Sequence, residues 1–273
     1  MTLKAIFNEF KSQVAFTLAL IWILAVWHFQ TINSVFYPLF SVGLMTVLDM
    51  GLTWIRSRKV YWPSASFVTG LLIGLVIDPN APIWIIAVAV LAAFLSKQFI
   101  NTGLRQHIFN PAAFGIMTVT LAFGIPVAWW AVAWGKLPLV ILMPAMIRIL
   151  WRMKRLWLPV SFLFVYLVYY LTLFDPKTAF WSLFDGTLLL FALVMLSEPI
   201  TSPSIKYFKF LFGAMVAILA IGLSLTIKPA EVFLPALLLA NLVGFAFKKL
   251  SEKRTQVAVV SEKTQNQEKG NVS

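Results

Sequence analysis

Phe184–Pro203, FDGTLLLFALVMLSEPITSP, is an apolar run of thirteen residues, Phe184 to Leu196, that opens on Asp185-Gly186 and breaks at Ser197-Glu198-Pro199. A carboxylate, two prolines and the hydroxyls of Ser197, Thr201 and Ser202 then follow within one short stretch. A straight helix needs about 20 apolar residues to cross a bilayer. This run falls short, so it spans only with protein packed around it. Irregular polar backbone survives at membrane depth only where protein or a water-lined cavity satisfies it. The stretch is therefore the first candidate for a site.

The rest of the chain sets that run in a membrane. Of 273 residues 60% are apolar and only 12% charged, and the mean hydropathy is +0.88. A soluble domain carries about twice that share of charge, so the composition specifies an integral membrane protein. The first apolar run, Val14 to Phe29, lacks a small-residue cleavage site and is followed by many others. It reads as a first membrane helix rather than a cleaved signal. The absence of cysteine excludes disulfides, thiolate metal sites and thiol nucleophiles. A net charge of +12 is explained without nucleic acid, because lysine and arginine collect in cytoplasmic loops.

Runs and breaks predict ten helices, near 13–29, 34–55, 64–78, 82–99, 110–125, 137–151, 156–174, 182–197, 206–226 and 231–247. With the N-terminus inside, 19 of the 22 lysines and arginines fall on the cytoplasmic side, leaving Lys136, Lys177 and Lys228 outside. Both termini are then cytoplasmic in a multi-pass protein. The segment 124–136, GIPVAWWAVAWGK, is either a loop or an interfacial segment, with Trp129, Trp130 and Trp134 forming a membrane-interface belt. Residues 248–273 are polar and charged and predict a disordered cytoplasmic tail.

The two halves echo each other. Phe67-Val-Thr-Gly-Leu-Leu-Ile-Gly-Leu-Val-Ile-Asp78-Pro79 is also short, also carries an early glycine, and also ends in an acidic residue followed by proline. Each run is third in a set of five, and five is odd. The expected fold is therefore all-α, with ten transmembrane helices in two inverted five-helix repeats, residues 1–125 and 126–247. Its third and eighth helices are short and interrupted by Gly or Pro. Paired interrupted runs point to a central site in such proteins. The plainer explanation is that Asp-Pro and Glu-Pro are ordinary interfacial helix stops. For either alone the stop is favoured; the pairing brings the two readings level.

Few residues advertise chemistry. Asn110-Pro111 opens the fifth helix with a favoured N-cap and N1 pair, and Ser202-Pro203 is expected to open the ninth in the same way. Lys97, Arg105, His107, Lys206 and Lys209 lie near these starts, which suggests a cytoplasmic-side anion pocket; plain caps and the positive-inside bias explain the same pattern. Asp49 lies within the second run, where a carboxylate is costly and defaults to an ion or proton relay unless it reaches the interface. Asp78, Asp185 and Asn241 are weaker signals of that ion pathway. Neither a phosphate-binding glycine loop nor a soluble catalytic domain is evident, so any chemistry falls to a bound cofactor or a partner.

Several of these segments, in order, are similar to one family. Lys97-Gln98 followed by Asn110-Pro111-Ala112-Ala113-Phe114-Gly115 resembles its K-Q…F-N-P-A segment. Leu196-Ser-Glu-Pro-Ile-Thr-Ser-Pro203 resembles its D-P-V-T-S-P motif, with Glu198 in place of the aspartate, and Glu231 to Phe247 resembles its last helix. The family is that of the flavin-carrying membrane subunits of the Rnf complex and of the Na⁺-translocating NADH:quinone reductase. The resemblance covers most of 60–247. It implies a subunit of a flavin-dependent electron-transport complex in the bacterial inner membrane. That complex would couple electron transfer to Na⁺ or H⁺ movement, with membrane and soluble redox subunits as partners. It implies cofactor-binding roles for Lys97, Asn110, Pro111, Glu198, Thr201 and Ser202.

One departure qualifies the cofactor. Family members usually hold flavin mononucleotide covalently through the threonine of a Ser-Gly-Ala-Thr motif between the fifth and sixth helices. Here the region from Gly115 offers only Thr118 and Thr120, both inside an apolar helix. A noncovalent flavin, FMN or riboflavin, is the expectation if one is held. A competing class is a channel or transporter for a small polar solute or ion on the same paired-half-helix plan. A third is a scaffold that kept the fold without the chemistry.

Overall fold

The computed structural model describes residues 8–58, 62–101, 107–227 and 230–246, so Lys59, Arg105, Lys228 and the 248–273 tail lie outside the described residues. Apart from two isolated bridges, Ile77 with Val127 and Asn101 with His107, the regular structure among the described residues is helical. We label α1 Phe10–Phe29, α2 Ile32–Ser57, α3 Ser64–Val76, α4 Ile83–Phe99 and α5 Pro111–Phe123. There follow α6 Leu137–Arg152, α7 Trp157–Leu171, the short α8 Pro176–Ser182 and α9 Gly186–Leu190. The last runs directly into a π-helical turn, Phe191–Met195, and α10 Lys206–Thr226 and α11 Phe233–Ala246 complete the set.

Among the described residues three helices, α1, α2 and α10, are long and apolar enough to cross a membrane, and five shorter apolar helices accompany them. The protein is an all-α integral membrane protein. Its long helices show hydrocarbon-like faces to the outside: Ile23 and Trp27 on α1, Val47 and Ile55 on α2, Ile218 and Leu225 on α10. Two short elements are interior. From Thr69 to Val76 α3 is buried without a break, as is the whole π-helical turn. That resolves the length problem: a helix walled by protein never has to match the bilayer thickness. Gly70 and Gly74 make the wall tight, because a Cβ on either would lie 2.6 and 2.5 Å from the Cα atoms of Val42 and Pro38 on α2. Small residues let helix backbones meet where lipid supplies no hydrophobic drive.

Contacts sort the helix ends into two poles. At a basic pole, Glu9 meets Ser64 at 2.7 Å, Arg56 meets Gln98 at 3.1 Å and Lys209 reaches the carbonyl of Lys154 at 2.8 Å. At the opposite pole, Trp22 donates to the carbonyl of Ser34 at 2.7 Å, Asn33 to that of Pro79 at 2.8 Å, and Tyr37 to that of Ala81.

The 124–136 segment corrects an expectation. It is no interfacial belt: Trp129 and Trp130 are buried, and only Trp134 is partly open, stacked on His28 at 4.0 Å. The segment turns back inward as a plug. Its amides at Ala128, Trp129 and Ala131 donate to the carbonyls of Val76 and Leu75, and Trp130 Nε1 donates to that of Gly74 at 3.0 Å. The plug thus satisfies the orphan carbonyls at the C-terminal end of α3. On its other side it touches the start of α9, where a Cβ at Gly186 would fall 2.1 Å from the carbonyl oxygen of Val132. Trp129 Nε1 ties it to Glu231 at 2.8 Å, the carboxylate that also accepts from the amides of Phe233 and Leu234 and so caps α11.

Two further expectations shift. The eighth helix begins at Gly186, capped by Asp185 through Leu188 N at 2.9 Å, and is bent by 54° from the separate α8 before it. Ser202-Pro203 does not open the next helix. α10 is preceded by Ile205, which lends no side-chain cap, because Ser202 turns to the carbonyl of Glu198 and the guanidinium of Arg155.

Candidate functional site

The break after α9 and the start of α5 close one side of a cavity of about 300 Å³. Val68 and Leu72 of α3, Ile149 and Leu150 of α6, and Leu193 and Val194 of the π-helical turn supply apolar wall. Lys11, Lys97, His107 and Glu198 give it a charged, polar rim. The π-helical turn is what aims this wall. Leu196 N bonds to the carbonyl of Phe191 at 3.0 Å and Ser197 Oγ to that of Ala192 at 3.0 Å, so the helix widens just before its break. Such bulges recur at functional sites.

Asp49 stands behind Lys97. It is buried at 1% exposure. Its Oδ2 accepts from Lys97 Nζ at 2.6 Å and from Ser66 Oγ at 2.6 Å, and its Oδ1 from Gln98 Nε2 at 2.8 Å. The Lys97-Gln98 pair therefore serves one carboxylate, and Asp49 fixes where the lysine's charge sits. Buried ions persist when paired and fully hydrogen-bonded.

Glu198 is held from two sides: His107 Nε2 lies 3.2 Å from Oε1 and Thr201 Oγ1 lies 3.2 Å from Oε2. Burial pushes its carboxyl up, but the bond and charge of His107, the charge of Lys11 and the Thr201 bond outweigh that, and the group ends below its ordinary value. A carboxylate depressed on folding stabilises the fold above its unfolded pKa and loses that contribution as pH falls through its folded pKa. Acid titration below about pH 4.5 is therefore expected to lower the melting temperature of the detergent-solubilised protein more steeply than in Glu198→Gln. Identical acid limbs in the two proteins would remove Glu198 from the explanation.

Asn110 knits the break to the helices. Its Oδ1 caps α5 through Ala113 N at 3.1 Å, and its Nδ2 donates at 3.2 Å to the carbonyl of Met195, the last residue of the π-helical turn. Asn241 of α11 accepts from Asn110 N at 3.1 Å and donates to the carbonyl of Thr201 at 3.3 Å. One polar lattice thus spans three helices and the break.

Of the residues singled out in the sequence, Lys97, Asn110, Pro111 and Glu198 line the cavity. Asp49, Thr201 and Asn241 touch liners from behind. Ser202 faces Arg155 instead. Asp78 and Asp185 lie at the other pole, Asp78 closing a turn on Asn80 N at 2.8 Å and Asp185 capping α9. The role of His107 and the docking of the plug carried no sequence signal: a lone histidine and a tryptophan-rich loop have many commoner explanations.

An all-α membrane protein whose interior carries an interrupted helix and a rimmed cavity is the class these features define. Residues 4–138, just under half of the chain, match the NQR2, RnfD, RnfE family. The chain is similar to the D component of the ion-translocating oxidoreductase complex of Actinobacillus succinogenes, 27% identical over 93 residues, covering 33% of this chain and 26% of that protein. The component of the same name from Buchnera aphidicola is 29% identical over 111 residues, 40% of this chain and 32% of the relative. That from Shewanella sediminis is 33% identical over 101 residues, 36% and 29%. The chain thus spans about a third or less of the length of these curated relatives.

Proposed function

We propose that the chain is a membrane subunit of an ion-translocating electron-transfer complex and that the cavity between α3, α6 and the α9 break holds a noncovalent flavin, FMN or riboflavin. The observation that carries this reading is the convergence of Lys97, Asn110, Pro111 and Glu198, which resemble family motifs, on one cavity. The donor set fits: apolar walls suit a flat aromatic ring, its size lies at the low end of ligand pockets of about 300–1,000 Å³, and Lys11 and Lys97 suit an anionic ring or phosphate. A flavin there would supply one- and two-electron transfer. Lys97, fixed by Asp49, would favour negative charge beside it, and the His107–Glu198 pair would hold a proton at the rim. Thr118 bonds back to the carbonyl of Phe114 at 2.8 Å within α5, which supports noncovalent holding.

The same reading places two five-helix sets, 1–125 and 126–247, in opposite orientations, with the basic pole in the cytoplasm. It is supported by the interior position of α3 and of α9 with its π-helical turn, and by the placement of Asp78 and Glu198 at opposite poles. Asp49 and Asn241 near the cavity, and Asp78 and Asp185 at the other pole, are the proposed stations for the coupled ion. Other membrane and soluble redox subunits are the proposed partners.

Absorbance of the purified chain, before and after adding FMN or riboflavin, tests the cofactor. Flavin bands that survive desalting, and that Val68→Trp abolishes by filling the cavity, are expected. No bands before or after reconstitution would overturn it. Ion flux through liposomes without any redox partner would then assign the fold to transport.

A further inference from the structure

We propose that the basic pole carries a second site, distinct from the cavity, that binds a phosphate group where α7 and α10 begin side by side. The phosphate belongs to the headgroup of an anionic phospholipid or to a free phosphate anion. The two helices start together: Lys206 Nζ of α10 lies 4.7 Å from the ring centre of Trp157, the first residue of α7, and Lys209 Nζ reaches the carbonyl of Lys154 at 2.8 Å. The two helices also pack closely further in, since a Cβ at Gly213, two turns into α10, would lie 2.3 Å from the carbonyl oxygen of Leu158. Each N-terminus brings a positive dipole end, and α10 adds first-turn amides; at α7 Leu158 N already donates to the carbonyl of Arg155 at 3.2 Å and Pro159 has no N–H. Neither is capped by a side chain, the preceding residues being Leu156 and Ile205, and neither first turn holds an acid. The two positive ends thus lie near one another with no carboxylate bonded to them, the charge of Glu198 reaching Arg155 only through space.

Side chains deepen that imbalance rather than relieve it. Arg155 and Lys209 are 5% and 7% exposed, and Lys154 and Lys206 stand beside them. Among the described residues neither buried cation pairs with a carboxylate; the two ion pairs there are Lys97–Asp49 and His107–Glu198. Arg155 sits between the two helix starts. One terminal nitrogen donates to the carbonyls of Ser202 and Pro203, both at 3.1 Å, while its Nε is buried without any partner. Burying an unpaired charge is costly, and a guanidinium nitrogen left idle at two helix N-termini is a donor that an anion would satisfy. Arginine and lysine beside helix amides are the standard means of holding phosphate.

The surroundings favour the lipid source. Ile205, Tyr207, Phe208 and Trp157 are exposed around the site, an apolar and aromatic collar of the kind found at headgroup depth. Basic pockets between helices on the cytoplasmic side suit anionic headgroups. The site shares no residue with the cavity, so it stands or falls apart from the flavin.

The test compares the purified full chain in nanodiscs of phosphatidylglycerol with nanodiscs of phosphatidylcholine, and in detergent with and without inorganic phosphate. Retention of phosphatidylglycerol through delipidation, read by native mass spectrometry, is the second measurement. Stabilisation by phosphatidylglycerol alone assigns the site to a headgroup; stabilisation by inorganic phosphate as well assigns it to the free anion too. The double variant Lys206→Gln/Lys209→Gln is expected to weaken binding by about thirtyfold. Lys206→Gln, at an exposed position, gives a smaller loss should the double variant fail to fold. No stabilisation by either probe, or stabilisation that survives Lys206→Gln in full, overturns the proposal.

Discussion

Asp49→Leu is expected to destabilise the protein by about 3–5 kcal/mol, the usual cost of removing one member of a desolvated ion pair. The carboxylate is 2% exposed and the lysine 16%, so neither is bathed in bulk water. Removing Asp49 also strands Ser66 Oγ, which donates to Oδ2 at 2.6 Å, and Gln98 Nε2, which donates to Oδ1 at 2.8 Å. Lys97 lines the cavity and keeps 16% of its side chain exposed, so its charge is only partly desolvated, which places the loss toward the lower figure. Asp49→Leu/Lys97→Leu should regain most of it, since an apolar pair often replaces a buried ion pair at little cost. Thermal unfolding in detergent measures both. A single variant as stable as the parent, or a double variant worse than the single, would refute the account.

Gly186→Val is expected to be as damaging, by about 3–5 kcal/mol, through overpacking and lost backbone bonds. The new Cβ meets the carbonyl oxygen of Val132 at 2.1 Å, a backbone atom that cannot swing away. The plug must move, and with it go the bonds from Ala128, Trp129 and Ala131 to the carbonyls of Val76 and Leu75. Amide hydrogen exchange at residues 128–131 should rise along with the loss of stability. Gly43→Ala is the control: it also adds a Cβ to a helical glycine, and nothing lies within 4 Å of it. Equal behaviour of the two variants would show that the plug is not wedged.

Much of the helix plan was legible because apolar runs interrupted by proline and charge leave few alternatives. The expected starts at 64, 82, 137 and 206 fall on or within a residue of α3, α4, α6 and α10. Asn110-Pro111 was legible as a start because its cap is local chemistry, contained within four residues. Ser202-Pro203 has the same pattern of a capping residue before proline and a different outcome. Arg155, 47 residues away, claims that serine's hydroxyl, and no local rule contains Arg155. The plug is hidden from the sequence for a related reason. Tryptophan is common at the interface, and only the open carbonyls of α3, reached from 56 residues away, draw Trp130 inward. Lys97-Gln98 pointed to a site by resemblance; that both side chains meet on Asp49 is a matter of register between α2 and α4.

The plug has a consequence for how the protein is made. Trp130 follows Gly74 by 56 residues, so α3 leaves the ribosome well before the amides that complete its inner end exist. Until then its last carbonyls need water or a chaperoning surface, because hydrocarbon offers them no donor. α3 is thus a late arrival in assembly although it is early in synthesis. Truncations ending before residue 128 are expected to expose α3 to membrane quality control, whereas chains extending past Val132 have the means to seat it.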